Sequence, residues 1–125
     1  MFRERTTSAQ KLKKRKNKYM RTLTKHENLY SHEFEQKLNE NPDAILLDVR
    51  TVAEFRSERI PNAINIDIMQ SGFTEKIGEL DKTKTYFVYC RSGARSAQAC
   101  SYMAGEGLTV FNLAGGISNW RGNIE

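Results

Sequence analysis

This sequence predicts an α/β domain with a mostly parallel sheet, on three observations. Short strand-like runs alternate with helix-like segments from residue 29 onward, the order that builds parallel sheets. Two of those runs, Ala44-Ile45-Leu46-Leu47-Asp48-Val49 and Thr85-Tyr86-Phe87-Val88-Tyr89, are apolar almost without interruption, as strands covered on both faces must be. A chain of 125 residues suffices for one such domain to hold a core without metal or disulfide staples.

The elements follow in order. Residues 1–28 read as a basic tail: ten Lys and Arg against Glu4 and Glu27 give this segment +8. Residues 29–125 then sum to −3 within a whole-chain charge of +5. The basic character therefore belongs to the tail and does not mark the domain as a nucleic-acid binder. The tail reads as solvated and flexible or partly helical, because only Leu12, Tyr19, Met20 and Leu23 fall near one side of a helix. The domain proper is read as 29–125. Ser31 is the expected cap of a first helix, with Glu33 and Glu35 in its first turn and Phe34 and Leu38 on its buried face. Asn41-Pro42-Asp43 stops it, and the run to Val49 is the first strand. Thr51-Val52-Ala53-Glu54 is a capping box opening a short helix.

After the turn Ile60-Pro61-Asn62-Ala63, Ile64-Asn65-Ile66 reads as a strand. Phe73 to Leu80 is a weaker helix, with Phe73, Ile77 and Leu80 on one face. Thr85–Tyr89, all aromatic or β-branched, is the strongest strand signal and ends directly in Cys90. Ser96 to Ala104 is a helix stopped in the Gly105–Gly107 region. Leu108 to Leu113 is the last strand, before Ala114-Gly115-Gly116 and a short helix with Trp120. No run approaches the roughly 18 apolar residues of a membrane span. The basic N-terminus lacks the apolar segment of a signal peptide, so the chain reads as cytoplasmic. Of its two cysteines, Cys90 and Cys100, one is expected as a reactive thiol rather than both as a disulfide.

The chemistry is concentrated in Cys90-Arg91-Ser92-Gly93-Ala94-Arg95-Ser96, between a strand end and a helix start. A loop entering a helix at the carboxyl edge of a parallel sheet turns free backbone N–H groups toward its own centre and forms an anion nest. Gly93 permits the tight or left-handed backbone this needs, and Arg91 and Arg95 add positive charge. Both influences favour thiolate over thiol. The expected chemistry is nucleophilic attack by Cys90 on an anionic donor.

With those residues in view, the sequence resembles the rhodanese family over about residues 29–122. Asp48-Val49-Arg50 with Glu54-Phe55 is similar to the family's first signature. Ile60-Pro61-Asn62-Ala63-Ile64-Asn65-Ile66 is similar to its second, Cys90 to Ser96 to the active-site loop, and Gly115-Gly116-Ile117-Ser118-Asn119-Trp120 to its closing G-G-x-x-x-W. The resemblance implies a rhodanese-like α/β domain, with a mostly parallel sheet of four or five strands and helices on both faces. It implies thiosulfate sulfurtransferase-type activity through a persulfide on Cys90. A small anionic donor such as thiosulfate would supply the sulfur, and cyanide or a thiol would accept it. It also implies that main-chain N–H groups from Arg91 to Ser96 cradle the outer sulfur, with Arg91 and Arg95 facing the donor's sulfonate. The persulfide is the only covalent group expected, with no metal and no other cofactor. The C-x4-R spacing is one residue shorter than the C-x5-R of related phosphatases, which suits one bound sulfur rather than a phosphate. Glu58-Arg59 stand where the family has Gly-His, and Asn62 where it has Gly; Asn tolerates the left-handed backbone a glycine would supply.

The alternative function is a sulfur-carrier or docking module whose basic tail binds a partner protein, RNA or an anionic surface. The expected state is a monomer. Asp48 and Arg50 are read as structural residues near the site, Asp48 holding the strand end rather than acting as a base. Arg50 and Glu54, four apart, are expected to pair or to fix the turn. Cys100 reads as a packed helix residue, Trp120 as a core anchor, and His26 and His32 lack metal-ligand spacing.

Overall fold

The computed structural model describes residues 26–125; the tail and its partial helix, expected in residues 1–25, lie outside the described residues. Five strands form one sheet: β1 (Glu27–Leu29), β2 (Ile45–Asp48), β3 (Ile64–Asn65), β4 (Thr85–Tyr89) and β5 (Thr109–Leu113). Their order is β1-β5-β4-β2-β3, and every neighbouring pair is parallel. The helices are α1 (Ser31–Asn39), α2 (Val52–Ser57), α3 (Phe73–Gly78) and α4 (Ala94–Gly105), followed by a 3-10 turn at Ile117–Asn119.

The period-2 alternation of the central strand divides the core. Tyr86, Val88 and Cys90 face one layer, with Phe73 and Ile77 of α3 and Ala99, Cys100 and Met103 of α4. Phe87 and Tyr89 face the other, with Phe34 of α1, Leu46, Leu113 and Ile117. Helices thus cover both faces, which is why β4 carries no charged residue. Phe87 is fully buried; the Phe34 ring meets it edge-on at 5.3 Å and Phe111 stacks on it at 5.1 Å. Burying such a side chain contributes about 1.5–3 kcal/mol.

Three local readings are corrected. The sheet begins at Glu27, inside the segment read as tail, because Glu27, Asn28 and Leu29 pair with Phe111, Asn112 and Leu113. Ser31 does not cap α1: Tyr30 holds that position without a side-chain bond, and the Ser31 hydroxyl accepts from the Arg121 N–H at 2.9 Å. Helix α4 begins at Ala94 rather than Ser96, because Gly93, at φ +104°, completes the turn out of the loop. Thr51 and Glu54 form the reciprocal capping box. Asn62 takes φ +72°, the only left-handed non-glycine among the described residues. No helix of the described residues is long and apolar enough to cross a membrane.

Candidate active site

In an all-parallel sheet the loops after each strand emerge at one end. There the loop leaving β4 wraps around the Cys90 sulfur. Sγ accepts from the Gly93 N–H at 3.1 Å, the Ser96 N–H at 3.3 Å and the Ser96 hydroxyl at 3.3 Å. The hydroxyl also lies 3.2 Å from the Gly93 carbonyl, so its one proton is delivered to the sulfur when that sulfur carries charge. Burial opposes ionisation of Cys90 and is the largest single influence. The Ser96 hydroxyl and the N–H groups of Ser96, Gly93 and Ser92 together outweigh it, and the thiol pKa lies below its ordinary value. Arg91, Ser92 and Ala94 are exposed around this buried sulfur, so the mouth is open.

A second loop braces the first. The N–H groups of Ile117 and Ser118 donate to the carbonyls of Cys90 (2.9 Å) and Arg91 (3.1 Å). Gly116 has φ +65°, and a Cβ there would overlap the Arg91 carbonyl. Gly116 is therefore required by the close approach of two backbones, whereas Gly115, at φ +81°, is crowded by the Asn119 side chain. Asn112, buried on β5, reaches the Gly93 carbonyl at 3.5 Å and is itself held by Asn28 of β1 at 2.9 Å. These supports were missed in the sequence, where Asn112 is one polar residue in a strand and Asn28 sits beside the basic run.

The charged residues divide differently from the expected pattern. Asp48 and Arg50 are both fully buried and joined by a pair of 2.6 Å, and the same Arg50 Nη2 donates to the Glu58 carbonyl at 2.6 Å. The Arg50 guanidinium lies over the Tyr89 ring at 5.5 Å. Arg50 does not pair with Glu54, because Asp48, two residues back on the same strand end, holds its guanidinium; the other arm of the expectation stands, since Arg50 at the Glu58 carbonyl and Glu54 in its capping box both fix the turn of α2. Glu54 instead takes Arg95 in a two-pronged pair, at 2.8 and 3.0 Å, and Arg91 Nε at 3.3 Å. The Arg95 hydrogen bond is the main reason the Glu54 carboxyl lies far below the usual carboxylate range, against an opposing effect of burial. Cys100 is fully buried on α4, and burial, with the nearby Cys90, pushes its thiol far up. Among the described residues no three His, Cys, Asp or Glu side chains gather as a metal site would require.

Comparison with known proteins identifies this arrangement. Residues 31–123 match the rhodanese-like domain. The chain belongs to the rhodanese-like family. It is 38% identical over 91 residues to a sulfurtransferase of Allochromatium vinosum, covering 72% of this chain and 83% of the relative. It is 33% identical to the thiosulfate sulfurtransferase GlpE of Pseudomonas savastanoi pv. phaseolicola, covering 62% and 73%. A crystal structure of a rhodanese-like domain protein from Staphylococcus aureus superposes with a TM-score of 0.69 at 28% identity, covering 79% of this chain and 96% of that one.

Of the two residues that depart from the rhodanese-like pattern at 58–59, Glu58 contributes its backbone carbonyl and Arg59 its side chain. The Glu58 carbonyl receives buried Arg50. Arg59 exchanges backbone hydrogen bonds with Glu125 at 3.1 and 2.8 Å, and its Nε meets the Glu125 carboxylate at 3.2 Å. Its guanidinium lies over the Phe55 ring at 5.0 Å.

Proposed function

We propose that this rhodanese-like domain is a sulfurtransferase in which Cys90 carries the transferred sulfur. The observation that carries the reading is the convergence of the Gly93 N–H, Ser96 N–H and Ser96 hydroxyl on one sulfur at 3.1–3.3 Å. Such donors stabilise a thiolate, and they are placed to follow negative charge one bond outward when a second sulfur is added.

In the first half-reaction the Cys90 thiolate attacks the outer sulfur of a sulfane donor such as thiosulfate. A new S–S bond forms, the donor's own S–S bond breaks, and its electron pair leaves with sulfite. Cys90 is then a persulfide whose terminal sulfur bears the charge. In the second half-reaction a thiolate or cyanide attacks that terminal sulfur. The Cys90 electron pair returns to Sγ, and the product is a persulfide or thiocyanate. The open mouth at Arg91, Ser92 and Ala94 admits acceptors of different sizes. No proton donor for the leaving group is required, because sulfite and the restored thiolate are both stable anions.

Intact mass after incubation with thiosulfate tests this directly. The wild type is expected to gain one sulfur and lose it to cyanide or a thiol, whereas Cys90→Ser gains none. Equal sulfur uptake by Cys90→Ser would overturn the assignment.

A further inference from the structure

The anionic residue at this mouth is Glu54. A loop that is to bind a small dianion through its arginines should present free guanidinium edges. Here the fork of Arg95, which suits a sulfonate, is already filled by a carboxylate of the same planar geometry, at 2.8 and 3.0 Å. Arg91 touches the same carboxylate through Nε at 3.3 Å. The Glu54 side chain is only 19% exposed, against 57% for Arg91, so the carboxylate is walled in rather than loosely associated. Its position is also fixed from behind, because Oε1 accepts from the Thr51 N–H and hydroxyl, both at 3.1 Å. A capping-box residue cannot swing aside without exposing the first turn of α2.

We propose that Glu54 selects the sulfur donor, lowering the site's preference for the thiosulfate dianion and favouring an organic hydropersulfide of low net charge. The proposal rests on the Cys90 persulfide reading. The attack is the same for both donors. With a hydropersulfide, Cys90 bonds the terminal sulfur, the donor's S–S electron pair leaves as an ordinary thiolate, and the S–H proton stays on the transferred sulfur until it is lost to solvent.

The test compares kcat/KM for thiosulfate with that for cysteine hydropersulfide, whose ammonium offsets its carboxylate, in wild type and variants. Glu54→Gln removes the charge and keeps an oxygen for the capping box. It is expected to shift the ratio toward thiosulfate by about three- to tenfold at low salt, through a lower thiosulfate KM, with the shift shrinking as salt rises. An unchanged ratio, with both donors slowed alike, would mean that Glu54 only braces the loop and would overturn the proposal. The double variant Glu54→Gln with Arg95→Gln replaces a neutral pair by a neutral pair, so its ratio is expected to stay within about twofold of wild type. A double variant that loses thiosulfate activity selectively would show Arg95 itself to be the sulfonate site and would equally overturn it. Wild type that gains no sulfur mass from either donor would remove the persulfide reading, and the donor preference with it.

Discussion

The two cysteines of this chain are both buried, and their chemistry is opposite. Cys90 is 1% exposed and Cys100 is 0% exposed, yet the first thiol is shifted toward ionisation and the second away from it. Desolvation is the largest single influence on both. The difference is in what points at the sulfur: two N–H groups and a hydroxyl at Cys90, apolar side chains around Cys100. Helix geometry explains why. Cys90 precedes the first turn of α4, where N–H groups have no intrahelical partner. Cys100 lies in the middle of that helix, where each N–H is already committed. Burial therefore does not determine reactivity here; unspent backbone donors do.

That contrast can be broken outright at Cys90. Cys90→Ser is expected to abolish sulfur loading and native-state labelling by iodoacetamide. Cys100→Ala should retain both, at a stability cost of about 1 kcal/mol for a small vacated volume. Labelling of Cys100 in the folded protein at neutral pH would erase the distinction.

A smaller effect is expected from the bracing loop. Gly116→Ala places a methyl group against the Arg91 carbonyl, at a positive-φ, extended-ψ position open essentially to glycine alone, which itself costs about 1–3 kcal/mol. Cys90 alkylation should slow by about tenfold or more as the loop donors lose alignment, while Cys100 stays unlabelled. Smaller again, Ser96→Ala removes one of three donors. Its rate–pH profile for Cys90 alkylation should move to higher pH, and the rate at neutral pH should fall about tenfold, as for loss of one hydrogen bond to a charged atom.

The least effect lies in stability against pH, where the two thiols have opposite signs. Cys100 in the folded chain holds its proton above its ordinary pKa of 9.0. Its contribution is therefore fully present below that value and is lost as pH rises above it, because only the unfolded chain then ionises. The loss approaches about 1.4 kcal/mol per pH unit, and Cys100→Ala should flatten it. Cys90, with a lowered folded pKa, contributes stability that is present above 9.0 and lost as pH falls through its folded value. Denaturant titrations from pH 7 to 10 read both slopes. Above about pH 10 the raised Tyr86 and Tyr89 hydroxyls add loss of the same sign as Cys100.

What could be read from the sequence follows the range of the interactions. The strand Thr85–Tyr89, the capping box at Thr51 and the nest around Cys90 are all local, and propensity or short spacing reports them. Asn62 was readable through the resemblance, which sets it where the family has Gly, because that backbone conformation admits few residue types. Strand β1 was not, because three residues at a sheet edge beside a basic run carry no period. The Glu54–Arg95 pair joins residues on two different helices, and no sequence pattern marks it; the local spacing of Arg50 and Glu54 reported their shared turn rather than a pair. Ser31 offered a legitimate cap, but its hydroxyl serves the Arg121 N–H from the far end of the chain.

The brace between the two loops also bears on how such a chain can change over generations. The first two residues of the Cys90 loop hang from Ile117 and Ser118, and Gly116 leaves no room beside Arg91. A residue inserted beside Arg91 would have to break the brace or displace Gly116. The two segments are mechanically one unit, and a change in the length of either would be felt by both.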